Sequence, residues 1–249
     1  MASPTTIDEV LARLEEIVEG CITTPSAGGY FAALYERVTR SVKRAIAART
    51  FDDNARMQTL DCLFADRFLS AWDAYGNGIA PTRSWKLAFD AMTGTETLVV
   101  QHLLLGINAH INLDLGIAAA TVAPGVSISG LKDDFFRINA VLTRLVAAIE
   151  VALTEVSPRM KTVELFADLE DKLFDFALDR ARDGAWAFAL KLAATPQEQW
   201  PPVIAARDAA VVDVGRAILS PGPLAAPVVA WILGAESPDV ALNIQIVGA

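Results

Sequence analysis

The chain has 249 residues, 53% of them hydrophobic and 20% charged, with a net charge of −9. That length suits one large domain or two small ones, and the composition allows a sizeable core. The negative charge weighs against nucleic-acid binding, which needs clustered Lys and Arg to neutralise phosphates, and against docking on an anionic membrane surface.

Cys21 and Cys62 form no CxxC pair, and MASPTTIDEV is too polar for a secretory signal, so a cytoplasmic protein with free thiols is expected. The longest uncharged runs are broken by His102 and His110, by Pro124 and Gly125, and by Pro221, Pro223 and Pro227. No clean bilayer span of ~20 apolar residues is therefore expected. The apolar content is assigned to a core, with room for a homo-oligomer interface.

In chain order, Thr6 and Glu9 form a capping-box pattern opening an amphipathic helix over 6–19, with Ile7, Val10, Leu11, Leu14 and Ile17 at helical spacing. Thr24 to Gly29 breaks it, so 1–29 reads as an N-terminal helix and loop. A second helix is predicted over 30–48, with Arg37, Arg40, Lys43 and Arg44 as a solvated basic face. Asp52 suits the N-cap of a third helix running to Tyr75, with Leu60, Phe64, Phe68 and Trp72 as its apolar stripe. Asp61 and Arg67 on that helix are candidates for inward polar residues, with surface placement favoured. Gly76-Asn77-Gly78 marks a turn, and a short helix follows from Arg83 to Met92.

Beyond residue 120, TVAPGVSISG is an uncharged connector, expected to pack on the surface rather than to line a pocket mouth. Helices are predicted over 133–156 and 162–194, then from a capping box at Thr195 to Glu198 as far as Leu219. Residues 220–249 form a Pro-rich segment packed on the domain, with two short apolar helices near 224–234 and 238–246. ALNIQIVGA alternates weakly and is the main place where a short strand is allowed. No linker divides the chain, and the predicted fold is a single all-α domain over 1–249 around a buried central helix at about 97–120.

That central stretch, TLVVQHLLLGINAHINLDLGIAAA, carries both histidines, His102 and His110, with Gln101, Asn108, Asn112 and Asp114. Its apolar residues point all round the axis, the mark of a buried helix. Its polar groups then need partners from other helices. His102 and His110 lie ~12 Å apart along the axis and cannot share a metal ion. His110 and Asp114, at i and i+4, can meet. Asn108 and Asn112 form a second such pair on nearly the opposite side.

Three readings stay open: a structural polar network, an acid/base site with no metal, and a divalent-metal site at His110 and Asp114. No Walker loop, GxGxxG, HExxH or GxSxG occurs. Asp133 and Asp134 open their helix, as a cap or as a carboxylate reaching the central site. Asp168, Glu170, Asp171, Asp175 and Asp179 resemble the aspartate-rich helices that hold Mg²⁺ and diphosphate in class I terpene cyclases, but the spacing departs from DDxxD and the polar side of an amphipathic helix explains them. Arg182, four residues before Trp186, suits guanidinium–indole stacking, a buried ion pair or recognition of an anion.

The segment HLLLGINAHINLDLG at 102–116 resembles a bacterial family known only as a domain of unknown function. FAALYERVT at 31–39, LDCLFADRF at 60–68, WKLAF at 85–89, DFFRIN at 134–139 and ARDGAW at 181–186 match as well. The resemblance brings no catalytic roles, but it implies one fold unit and groups Asp61, Arg67, His102, Asn108, His110, Asn112, Asp114, Asp134, Asn139, Arg182 and Trp186 as one candidate cluster.

The leading expectation is a small-molecule enzyme of lyase, isomerase or cyclase type with an apolar pocket. His110 would act as base or acid, oriented by Asp114, with His102 in support. Asn108 and Asn112 would bind polar groups, Arg182 an anionic one, and no cofactor is required. The alternatives are a metal-dependent hydrolase or terpene-cyclase-like enzyme, and a non-catalytic carrier of an apolar ligand or helical interaction protein. A ligand site should open as a cavity of ~300–1,000 Å³ beside His110.

Overall fold

The computed structural model describes residues 3–94, 96–162 and 180–249. The fold is all-α, 80% helical around a buried central helix, with no strand among the described residues. Helix α1 (Ile7–Thr23) starts at the expected capping box: Glu9 N donates to Thr6 Oγ1, and Thr6 N to Glu9 Oε2, each at 3.2 Å. Its stripe of Ile7, Val10, Leu11, Leu14 and Ile17 is buried, largely against α2 (Gly28–Ala47).

In α3 (Asn54–Gly76) the cap is Asp53, which accepts from Arg56 N at 2.9 Å. Asp52, expected in that role, instead pairs with Arg137 at 2.8 Å. Helix α4 (Arg83–Asp90) is followed by the central helix, built as α5 (Val99–Ala109), a π turn (His110–Asp114) and α6 (Leu115–Val122). The predicted helix 133–156 is two pieces, α7 (Lys132–Arg137) and α8 (Asn139–Val156). The connector before them forms a 3₁₀ turn (Gly125–Leu131) that buries Ile128 and Leu131.

Helix α9 is described over 180–193. The first half of the predicted helix 162–194, with Asp168, Glu170, Asp171, Asp175 and Asp179, lies outside the described residues. The capping box predicted at Thr195 does not form, because the Thr195 hydroxyl donates to Lys191 O at 2.7 Å. A 3₁₀ turn (Gln197–Gln199) leads instead into α10 (Trp200–Leu219), which holds Pro201 and Pro202 in its first turn, where no helical N–H is needed. Then come α11 (Ala226–Leu233) and α12 (Val240–Gly248). The weakly alternating ALNIQIVGA is thus helical: Asp239 caps Leu242 N at 2.9 Å, and Ile244 and Val247, three apart, are buried where α12 packs on α1, α2 and α8.

The central helix is enclosed because helices pack on every side of it. α2, α4 and α10 lie against α5, and α3 lies against α6 and the π turn. Two glycines set the closeness of approach. A Cβ on Gly106 would come within 2.3 Å of the Phe31 ring, and one on Gly116 within 2.7 Å of Phe188. The start of the helix is held from both flanks, as Val99 N donates to Glu236 Oε1 at 3.0 Å and Gln101 Nε2 to Ile218 O at 2.7 Å. Contrary to the sequence expectation, Val99–Val122 is long and apolar enough to cross a membrane. However, 78% of its most apolar window is buried inside the fold, so that surface faces other helices.

Candidate functional site

The π turn sits on the HINLD of the motif. Such turns are rare and occur mostly as single wide turns within α-helices. His110 and Asp114, at i and i+4, come together across this turn. His110 Nδ1 stands 3.5 Å from Asp114 Oδ2 and makes no hydrogen bond to it. Asp114 is fully buried and held by others: Trp85 Nε1 donates to Oδ2 at 2.7 Å and Arg67 Nε to Oδ1 at 3.1 Å.

The His110 ring is caged by aromatic side chains. It stacks on Phe64 at 3.5 Å between centroids, and Tyr35 meets it edge-on at 4.5 Å. Phe31 and Trp85 stand at 5.7 and 6.0 Å. Among the described residues neither ring nitrogen has a hydrogen-bond partner. Burial lowers the His110 pKa, and Arg67 adds to this, against the opposing pull of Asp114, so the neutral imidazole is favoured.

One edge of this cage faces a cavity of about 110 Å³ between α2, α3, the central helix, α7, α8 and α9. That is smaller than the expected ~300–1,000 Å³. Its wall is mostly apolar, including Leu34, Met57, Leu60, Ile111 and Phe135, and is interrupted by Tyr35, Asp61, His110 and Arg182. Asp61 is buried rather than on the surface. One turn of α3 earlier than Phe64, it falls on the side facing α2 and the central helix. Its Oδ2 has no partner among the described residues, and burial raises its pKa to about 7. The Tyr35 hydroxyl is also buried and unpaired, and burial, then the Asp61 and Asp114 carboxyls, hold its pKa well above the usual phenol range. The Arg182 guanidinium lies 4.9 Å over the Phe135 ring, and donates to the Phe135 carbonyl; it does not stack on Trp186 as the spacing had suggested.

The other sequence candidates lie elsewhere. Asn108 Nδ2 donates to Val211 O on α10 and its Oδ1 accepts from Asn112 Nδ2, both at 2.9 Å. Arg207 Nε donates to Asn112 O at 2.8 Å, so this pair ties the central helix to α10. Asn108 is buried, Asn112 only half-buried. Asp134 accepts from the backbone N–H groups of Asp52 and Asp53 at 2.7 and 2.9 Å and pairs with Arg56 and Arg137. Burial alone would raise its pKa, but these hydrogen bonds and cations outweigh it and hold it below the ordinary carboxylate range. Trp186 packs on Phe135 at 4.9 Å, and Asn139 begins α8.

His102 lines a separate void of about 20 Å³ with Phe31, Phe68 and Trp85, so Phe31 is shared by the two spaces. Burial lowers its pKa to about 4. The structure therefore brings Asp61, His110 and Arg182 onto one cavity and sets Asp114 and Arg67 behind it. Tyr35 and Phe64 were missed as site residues, although both stand in stretches that carry the resemblance. No cluster of three or more His, Cys, Asp or Glu suited to a metal ion occurs among the described residues.

Fold and site together define an all-α protein whose core helix bends through a π turn beside a small cavity with unpaired polar groups in its wall. The chain belongs to a family of unknown function, DUF5995, whose model matches residues 7–221. No curated protein and no solved structure matches it.

Proposed function

We propose that the protein is a small-molecule enzyme that binds an apolar ligand in the cavity beside His110 and acts on it by acid/base chemistry. The observation that carries this reading is the set of buried polar atoms without partners among the described residues: Tyr35 Oη, Asp61 Oδ2 and both His110 nitrogens. Leaving such groups unpaired costs ~1–3 kcal/mol each, so a native site that keeps several of them on one cavity is arranged for something that pairs with them.

Asp61, with its pKa raised to about 7, gives or takes a proton near neutrality, which is what a general acid or base requires. Neutral His110 offers one N–H and one free nitrogen beside it. Asp114 stands behind the imidazole, 3.5 Å from Nδ1, and is itself held by Arg67 and Trp85, so it fixes the ring from the side away from the cavity. A metal at His110 and Asp114 has less support, because both Asp114 oxygens are already engaged by Trp85 and Arg67. A lyase or isomerase step fits these groups without a cofactor. The non-catalytic carrier is the second reading, favoured by the predominance of apolar side chains in the wall.

Native mass spectrometry of protein purified without denaturant tests the reading. A retained small molecule that is chemically converted by the wild type, and bound unchanged by Asp61→Asn, supports the enzyme. Binding without conversion by either supports the carrier. No retained or added apolar molecule binding at all removes both.

A further inference from the structure

We propose that the ligand is an uncharged, ring-sized molecule bearing a hydroxyl group, an alcohol or phenol rather than a carboxylate or phosphate. This rests on the reading of the cavity as a ligand site and goes further by naming the chemical class.

Size comes first. A cavity of about 110 Å³ is somewhat smaller than the ~150 Å³ apolar space known to enclose benzene. The ligand beside Leu34, Met57, Leu60 and Ile111 is therefore at most a single ring, or a chain of no greater bulk.

Hydrogen-bonding pattern comes next. The Tyr35 hydroxyl donates or accepts, and the Asp61 carboxyl donates whenever it is protonated. Neutral His110 presents one donor and one acceptor nitrogen. A ligand hydroxyl, itself both donor and acceptor, can complete such a set, giving its proton to the free imidazole nitrogen and accepting from Tyr35 or Asp61. A hydrocarbon leaves all of these groups unpaired. A carbonyl leaves the imidazole acceptor unpaired.

Charge decides the rest. An anion here would lose its hydration in a mostly apolar wall, with the Asp114 carboxyl behind His110. The cation on the wall, Arg182, is turned onto the ring and carbonyl of Phe135. Among the described residues no partner pairs with Asp61 Oδ2, and burial disfavours its charged form, which suits this corner to neutral groups.

The test is titration calorimetry of the intact wild-type protein at pH 6 with benzene, phenol and benzoate in turn, repeated with Tyr35→Phe and His110→Gln after circular dichroism confirms their folding. Phenol is expected to bind roughly tenfold more tightly than benzene, as one to two extra buried hydrogen bonds imply. Benzoate should bind more weakly than either, and each variant should bring the phenol-to-benzene ratio towards one. If benzene binds and phenol binds no better, the hydroxyl inference fails while the cavity remains a ligand site. If benzoate binds most tightly, the inference fails in favour of an anion held by Arg182. If none of the three binds, the cavity is not a ligand site and both readings fall.

Discussion

The central helix has two polar sides that differ in pairing rather than in residue type. Towards α4 and α10, Asn108, Asn112 and Asp114 are tied to Val211, Arg207, Trp85 and, from α3, Arg67. Towards α2 and the first half of α3, His110, Tyr35 and Asp61 are as deeply buried and unpaired. Burial and chemistry alone would class both sides as buried polar network. Pairing separates them: the first side fixes how helices meet, and the second is left open towards a cavity.

The difference should be largest in the pH dependence of stability. Asp61 has its pKa raised from 3.8 to about 7, so its contribution is most favourable below pH 3.8 and is lost as pH rises through about 7. Asp61→Asn should therefore stabilise the protein by up to ~4 kcal/mol at pH 8 and change little near pH 4, read by urea unfolding. His102 runs the other way. Its pKa falls from 6.5 to about 4, so its stabilisation is present above pH 6.5 and lost as pH falls through about 4. The wild type should accordingly show a flattened stability profile between about pH 4 and 6.5, and Asp61→Asn should expose a rise with pH over that range.

On the paired side, Asp114→Ala leaves Trp85 Nε1 and Arg67 without their acceptor and should cost roughly 3 kcal/mol at pH 7 by the same unfolding assay. Asn108→Ala should cost ~2 kcal/mol, and the half-buried Asn112→Ala ~1 kcal/mol. Smallest of all should be His110→Gln, at less than ~1 kcal/mol, although it removes the preference for a hydroxyl-bearing ligand. A His110→Gln cost equal to that of Asp114→Ala would erase the distinction between the two sides.

Much of the fold could be read from the chain, because helix signals are local. The Thr6–Glu9 cap, the apolar stripe of α1 and the all-round apolar surface of Val99–Val122 each predict what they form. The pairing could not be read, because it depends on partners distant in sequence. Asp61 was assigned to the surface since its neighbours on α3 leave its direction open; α2 and the central helix decide it. The π turn has no local signature in HINLD, and the Trp85 and Arg67 partners of Asp114 come from distant helices. Tyr35 passed as an ordinary helix aromatic, and only the packing of Phe31 onto Gly106 shows why α2 lies close enough to bring Tyr35 against His110.

Having only two histidines, the protein allows one direct measurement. ¹⁵N NMR of imidazole-labelled protein, assigned with His102→Gln, should show His110 neutral at pH 6 with shifts typical of ring nitrogens lacking hydrogen bonds. On titration with phenol the His110 signals should move towards hydrogen-bonded values while those of His102 stay in place. A His110 that is charged at pH 6, already hydrogen-bonded, or unmoved at saturating phenol would contradict the assignment of this side of the helix to ligand binding.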